Sequence, residues 1–421
     1  MGNKARRKWQ KATRVGTIVS CLWPLACHAV ATGAEPLRDK IDVVVQTVEA
    51  DLIHGRLAAL SLIHGAAIQT EEKNARRVAT TDLVRITMPQ TVSRGGLGQG
   101  TTHPGDVTLL LTQGDRLHGR IVGGDTETIL FETIALGEIR VPLDATQAVH
   151  FSRASGPAYR DSAAWFERDR AEDSDRVLLT NGDVISGFIK AIDATGVSID
   201  GTLGEAKLPR RLVVAAQLVA AKPPPIDGAH FVLMLRQTGR LTVTAFELSH
   251  QTVEARLWYG ESVTFQADRI ARIDVAGGRW EWLSTHQPIS YQHTPMLSLA
   301  WEYVPNRNVL GAPIRVAGET FDYGIGVHSR SSLTYDLKGI YREFVTSLGI
   351  DDSGGPYADV SVLILFDGKR RFDQSHVKRG KLLGPVRLDV TKAKRLELIV
   401  DYGDNGDIQD RFDWVEAALI R

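Results

Sequence analysis

The chain has 421 residues, with Lys+Arg and Asp+Glu both at 50 and a formal net charge of zero. No global field draws it to nucleic acid or to an anionic membrane, and at 43% hydrophobic and 24% charged residues it has an ordinary globular composition. The length suits roughly two to four domains, and 39 glycines against 4 methionines favour turns and short strands.

Residues 1–34 read as an export signal. Lys4, Arg6, Arg7, Lys8, Lys11 and Arg14 form a basic leader, and Val15 to Ala31 a mainly apolar stretch. Ala29-Val30-Ala31 and Thr32-Gly33-Ala34 offer small-residue cleavage sites. An uncleaved anchor is the rival reading, although the stretch is short for a bilayer span. Cys21 and Cys27 fit a lipoprotein box poorly. Both cysteines of the chain lie in this segment, so the mature protein is expected to hold none. That excludes disulfides, thiolate zinc sites and cysteine nucleophiles after processing. No later run is long and apolar enough to span a membrane, and the processed protein is expected to be secreted, periplasmic or at the cell surface.

From residue 41 the chain repeats itself. ADLIHGRL (50–57) aligns without gaps with GDRLHGRI (114–121), and GDVISGFI (182–189) fits the same frame. GRLTVTAF (239–246) fits more loosely, with Val243 where the others carry Gly55, Gly119 and Gly187. Four units are expected: 41–88 and 230–275, which diverge, and 106–152 and 176–221. Each reads as five short strands. A tight turn follows the first strand, with Asn181-Gly182 as a two-residue hairpin pair. The repeated glycine marks a bend or bulge in the second strand. A third strand leads to GEIRVP (137–142) or GEAKLP (204–209), and a last short strand lies at 148–151 or 217–219. This pattern suggests a small, curled barrel resembling the SH3-like or Sm-like barrels. Units this small are expected to pack on their neighbours.

His54 and His118 recur at one repeat position, but Ser186 and Thr242 stand there in the other copies. A repeated metal site therefore fails, and a polar strand face fits better. Asp51, Asp115 and Asp183 are expected to accept hydrogen bonds from turn amides. RGGLGQGTTHPG (94–105) reads as a flexible linker and KPPPIDG (222–228) as a polyproline-like spacer. The charge-rich segment 153–175, with Trp165 and Phe166, reads as a short surface helix.

From about residue 290 to 421 the strands lengthen, at 331–337, 343–350, 359–366, 386–390 and 395–401, with Asp367-Gly368 at a hairpin tip. This spacing suits an antiparallel jelly-roll sandwich, so the fold class is all-β throughout. GIGVHSRSSLTYDL, FVTSLGIDDSGG, VSVLILFDGKRRFDQS and VRLDVTKAKRLELIVDYGDNGDIQDRFDWVEAAL occur here in that order. Together they resemble the NPCBM family of carbohydrate-binding modules, which are often attached to glycoside hydrolases. The resemblance covers about a third of the chain. It implies a galactose-binding-like β-sandwich, sugar binding at loops on one end, and often a structural calcium. In that family the GVH segment belongs to the shared scaffold, and His328 matches a scaffold position.

Sugar sites need flat aromatic faces for the apolar side of a pyranose and planar polar groups for its hydroxyls. Trp301, Tyr303, Tyr357 and Tyr402 lie in expected loops and are the candidate platforms, with His328 as a candidate contact. A catalytic His328 would need an oriented carboxylate and a nucleophile, and no nucleophile-elbow pattern is present. The loop DYGDNGDIQDRFDW (401–414) is rich in aspartate and glycine, which suits calcium. Gly403 and Phe412 break an EF-hand register. Asp351, Asp352, Asp404 and Asp407 are the candidate calcium ligands, and a solvated turn is the alternative.

The sequence therefore reads as an exported, non-enzymatic protein whose sandwich binds a glycan or polysaccharide. The repeats would act as a spacer or as a docking array for proteins of the cell surface or matrix. One alternative is a structural or protein-interaction component without sugar binding. Another is an accessory part of a glycoside hydrolase system. A hydrolase itself needs two carboxylates across a cleft, and the repeats leave no room for a catalytic barrel of about 250 residues.

Overall fold

Apolar–polar alternation broken by glycine and Asx turns dictates strands, and strands are what the chain forms. The computed structural model describes residues 41–70, 75–89, 107–151, 173–202, 204–219, 223–296 and 300–421. Among these, regular structure is β apart from single 3-10 turns, and no helix is long and apolar enough to cross a membrane. The signal expected over 1–34, the 94–105 linker and Trp165 and Phe166 of the expected surface helix lie outside the described residues.

One strand connectivity occurs four times between residues 41 and 276. The first unit comprises β1 (Ile41–Thr47), β2 (Leu52–Ser61), β3 (Gly65–Gln69), β4 (Ala75–Val78) and β5 (Leu83–Thr87). The second comprises β6 (Val107–Leu111), β7 (Arg116–Gly124), β8 (Thr128–Thr133), β9 (Gly137–Pro142) and β10 (Thr146–Phe151). The third comprises β11 (Asp175–Leu179), β12 (Val184–Asp193), β13 (Gly196–Gly201), β14 (Gly204–Pro209) and β15 (Val213–Gln217). The fourth comprises β16 (His230–Leu235), β17 (Gly239–Ser249), β18 (Thr252–Leu257), β19 (Ser262–Gln266) and β20 (Ile270–Ala276). In each, four strands form an antiparallel meander, a 3-10 turn follows, and the fifth strand returns to pair with the first.

Every second strand carries a bulge, which bends it so that it can pair on both sides of a curled sheet. In the first three units the bulge falls at Ala58, Val122 and Lys190, three residues beyond the repeated glycine. The glycine is demanded by proximity: a β-carbon at Gly119 would run into the Glu132 carbonyl of the third strand. In the fourth unit the bulge comes at Thr244, one residue beyond Val243.

Three local expectations are corrected. Asn181-Gly182 is not a two-residue hairpin: Gly182 N donates to Leu179 O (3.0 Å), Leu179 N donates to Asp183 O (2.9 Å), and Gly182 takes φ 93° in a glycine-bulge turn. The last strand of the third unit is Val213–Gln217 rather than 217–219, because the 3-10 turn Arg210–Leu212 feeds directly into it. The recurrent aspartates do not place their carboxylates on turn amides. The Asp115 carboxylate is buried and accepts from Thr242 N (3.0 Å), Thr242 Oγ1 (2.7 Å) and Trp258 Nε1 (3.0 Å) of the fourth unit. Burial pushes that carboxyl up, against the pull of these donors. Asp51 pairs with Arg76 (2.9 Å), and Asp183 accepts from Asn181 Nδ2 (2.6 Å). His54 is exposed, and His118 Nδ1 lies 3.0 Å from Thr108 Oγ1.

A fifth strand paired on one edge leaves the other edge unsatisfied. Here the units satisfy one another: β10 pairs with β15 through Val149 and Ala216, and β5 pairs with β20 through Ile86 and Ile273. The second unit thus joins its neighbour, the third, while the first joins the fourth. Strand β17 also pairs briefly with β2 and β7. One apolar core runs through all four units.

The C-terminal strands form two antiparallel sheets. One runs β23 (Val304–Pro305), β26 (Gly324–His328), β33 (Arg411–Ile420), β28 (Glu343–Ile350) and β31 (Leu383–Asp389), with β21 (Trp280–Trp282) joined to β33. The other runs β22 (Ser290–His293), β27 (Ser331–Asp336), β32 (Arg395–Tyr402), β29 (Asp359–Phe366) and β30 (Lys369–Lys378). A hairpin of β24 (Ile314–Val316) and β25 (Glu319–Phe321) stands apart from both. Asp367 and Gly368 form the β29–β30 tip with φ 49° and 75°, as an Asp-Gly hairpin requires. The sheet reaches back to Trp280, ten residues ahead of the expected start at 290, because β21 extends it along β33.

Strand β33 is buried on both faces. Phe412, Trp414 and Leu419 enter the core between the sheets, whereas Val415, Ala418 and Ile420 lie in outer clusters. In one of these, Val48 and Val84 of the first unit pack with Trp280, Trp282, Tyr323 and Val345. Trp282 stacks on Tyr323 at 4.4 Å, and Arg85 lies over Trp282 at 5.6 Å. Arg85 donates to Asp274 and to Glu416, each at 2.7 Å. Burial opposes its charge, yet the two carboxylates hold the guanidinium above its ordinary value. The repeats and the sandwich are therefore bolted together through an apolar patch with an ion network at its edge.

Candidate functional site

At one end of the sandwich several stretches meet: residues 291–296 and 300–303, the β26–β27 junction, the loop after β28 and the loop between β32 and β33. His328 ends β26 and is buried. The Trp301 ring stacks on it at 5.1 Å with an interplanar angle of 7°, and His293 meets it edge-on at 6.1 Å. Trp301 is itself anchored: its carbonyl accepts from Tyr291 Oη (2.7 Å), and its amide donates to His293 Nδ1 (3.3 Å). His293 Nε2 (3.1 Å) and His328 Nδ1 (3.0 Å) both face the Ser329 carbonyl. A carbonyl only accepts, so these contacts assign the proton to Nε2 of His293 and to Nδ1 of His328. Burial lowers the His328 pKa, with the Ser329 carbonyl opposing and His293 adding to the effect. The imidazole beneath Trp301 is thus a neutral stacking surface at neutral pH.

The β32–β33 loop closes over this end. Tyr402 Oη donates to the Thr294 carbonyl, and Asp407 Oδ2 accepts from Met296 N (3.1 Å). Tyr357 is 62% exposed, and its carbonyl accepts from Asn405 Nδ2 (2.9 Å). Of the five expected sugar contacts, Trp301 and His328 touch directly. Tyr402 and Tyr357 are tied to the same end through Thr294 and Asn405. Tyr303 is not part of this group; its ring tilts against Tyr291 at 5.1 Å, and its hydroxyl donates to Gln287 Oε1 (3.3 Å) on the flank of the core.

The four aspartates chosen as calcium ligands are distributed rather than convergent. Asp351 accepts from Asn308 Nδ2 (3.0 Å), Ser353 N (2.9 Å) and Arg315 N (3.0 Å). It lies beside Asp413, whose carboxyl finds no donor and is pushed well up by burial and by Asp351. Asp352 accepts from Gly318 N (2.9 Å), and Asp407 serves Met296. Calcium takes six to eight converging oxygens, so these four do not fit one calcium. Among the described residues, the group with ligand atoms drawn together is Asp359, His376 and Asp404.

Sequence reading missed His293, Asp359, His376 and Asp410. Asp410 joins two loops, accepting from Ser329 Oγ (2.6 Å) and Asp359 N (3.0 Å), and burial pushes it up to about 6. The available signals were slight: a histidine ending a short strand in SYQH, and one interrupting alternation in DQSHVK.

Two antiparallel sheets with aromatic and acidic loops gathered at one end define a β-sandwich module. Residues 279–420 match the family model of the NPCBM/NEW2 domain, so the C-terminal third of this chain is an NPCBM domain. Over 110 residues the chain is 24% identical to a Renibacterium salmoninarum protein provisionally named endo-alpha-N-acetylgalactosaminidase. That match covers 26% of this chain and 7% of the relative's length. Similar solved structures include a CBM51 from Clostridium perfringens GH95 in complex with methyl-galactose, at 24% identity over 33% of this chain and 99% of that one, TM-score 0.30. Another is CBM51-2 in complex with GlcNAc, with INT domains, from Clostridium perfringens ZmpB, at 22% identity over 44% of this chain and 42% of that one, TM-score 0.30.

Proposed function

We propose that this is an exported, non-enzymatic glycan-binding protein whose sandwich takes carbohydrate at the Trp301–His328–Tyr402 end. The observation that carries the reading is the NPCBM match over residues 279–420. The chemistry of the loops supports it. Tyr291 and His293 hold the Trp301 backbone, and His328 stacks on one face of its indole, so the ring loses little freedom on meeting a pyranose. Tyr402 and the exposed Tyr357 add aromatic surface, and the nearby Asn405 and Asp407 add groups for sugar hydroxyls. A shallow site of this kind binds weakly and gains strength from clustering. Export is inferred from the 1–34 leader, and the repeats are read as a base that presents the sandwich.

The glycosidase name of the Renibacterium relative favours a second reading, an accessory component that brings a hydrolase to its glycan. Both readings predict a sugar ligand. A glycan array probed with the full chain should give defined hits, and titration of a hit should show Trp301→Ala weakening affinity at least about tenfold. An array without hits, or a Trp301→Ala variant that binds as the parent does, overturns the proposal.

A further inference from the structure

Three side chains that the sugar argument does not use converge beside the same end. Asp359 opens β29, His376 lies near the end of β30, and Asp404 sits in the turn after β32. Their ligand atoms all lie within 4.8 Å of one another. His376 Nδ1 is 3.2 Å from Asp359 Oδ2 and 3.8 Å from Asp404 Oδ2.

An independent observation points to a missing partner. Asp359 is 1% exposed, and its Oδ1 has no hydrogen-bond donor. A buried carboxylate oxygen left without a donor is costly, and a cation removes that cost. The backbone also holds the three residues together. Val360 pairs with Val377 and Val362 with Gln374, so Ser375 and His376 bulge opposite Ser361. Gly403 lets the turn close on β29, where a β-carbon would run into the Asp359 carbonyl, and Gly403 N donates to that carbonyl at 2.7 Å.

We propose that Asp359, His376 and Asp404 bind a divalent transition-metal ion, with zinc the best match. One imidazole nitrogen and two carboxylate oxygens form a donor set that zinc accepts, with water completing four-coordination. Calcium prefers oxygen throughout and more of it, so the imidazole argues against it. His376 and Asp404 are largely exposed, which lets an ion enter from solvent. The ion would neutralise the buried Asp359 carboxylate, whose Oδ2 faces His376, and pin the turn between Tyr402 and Asp407 to β29 and β30. The site stands whether or not the Trp301 end binds sugar.

The test is titration of chelator-stripped full-length protein with zinc chloride and, separately, calcium chloride, alongside thermal unfolding. One equivalent of zinc should bind with micromolar or tighter affinity and raise the unfolding temperature. Asp404→Asn alters an exposed side chain and should leave apo stability near that of the parent, His376→Ala also removes the hydrogen bond to Asp359 and should lower it modestly, and each should weaken zinc about tenfold or more. Zinc affinity unchanged in both variants overturns the proposal, as does absence of zinc uptake up to millimolar concentration. Calcium uptake lost in Asp404→Asn but kept in His376→Ala also overturns it, because the imidazole would then be no ligand.

Discussion

Single residues in this protein are constrained by what lies opposite them. Gly119 faces the Glu132 carbonyl, so Gly119→Ala forces two strands apart and should cost roughly 1–3 kcal/mol. Chemical denaturation measures this, and an unchanged midpoint would refute the close approach. His328 makes a pH prediction. Burial lowers its pKa; Ser329 and Asp407 oppose this, while His293 and Arg411 add to it. Below about pH 6.5 the folded state then binds fewer protons than the unfolded chain. The stability contribution is full above that pH and is lost as pH falls. His328→Gln keeps a donor for the Ser329 carbonyl without a titrating ring, so its unfolding temperature should fall less between about pH 7 and 5 than that of the parent. Parallel slopes would sink this account.

Between elements, the deciding contacts are polar groups sealed in apolar surroundings. Asp115 serves three donors of the fourth unit from the second. Asp115→Ala would strand those donors and should cost on the order of 3 kcal/mol, with Asp115→Asn less severe because one carbonyl oxygen remains. Denaturation midpoints of the two variants check the order, and Asn as damaging as Ala would contradict it. The aspartate was visible in the sequence as a repeat position, but its role was not. Asp51 and Asp183 share the frame and do something else, since only Asp115 is covered by a neighbouring unit. The fifth strand of the third unit was misplaced for a related reason. VVAAQ is buried at every position, so its two valines favour a strand but no apolar–polar alternation marks its bounds.

At the scale of the whole molecule, repeats and sandwich share a buried charge network. Asp274 is 1% exposed and is held by Arg85 and Arg272. Arg85→Met keeps much of the volume but leaves Asp274 and Glu416 short of a cation, and should destabilise the protein by about 3–5 kcal/mol. A variant as stable as the parent would show that the network is dispensable. Trp280, Trp282 and Tyr323 share the same contact, so a sandwich cut free of the repeats would expose three large aromatic rings.

The sequence by itself determined the strand periods, the repeated five-strand unit and the kind of sandwich at the C-terminal end. Those rest on side-chain alternation, turn glycines and ordered local segments, all written along the chain. Only the tertiary structure decided that the first unit pairs with the fourth and the second with the third. Backbone edges carry the same donors and acceptors in every unit, so no residue marks the partner. It also decided that Asp359, His376 and Asp404 meet while Asp351, Asp352, Asp404 and Asp407 do not. A coordination sphere is set by where loops from different strands cross in space, and composition within one loop does not encode that crossing.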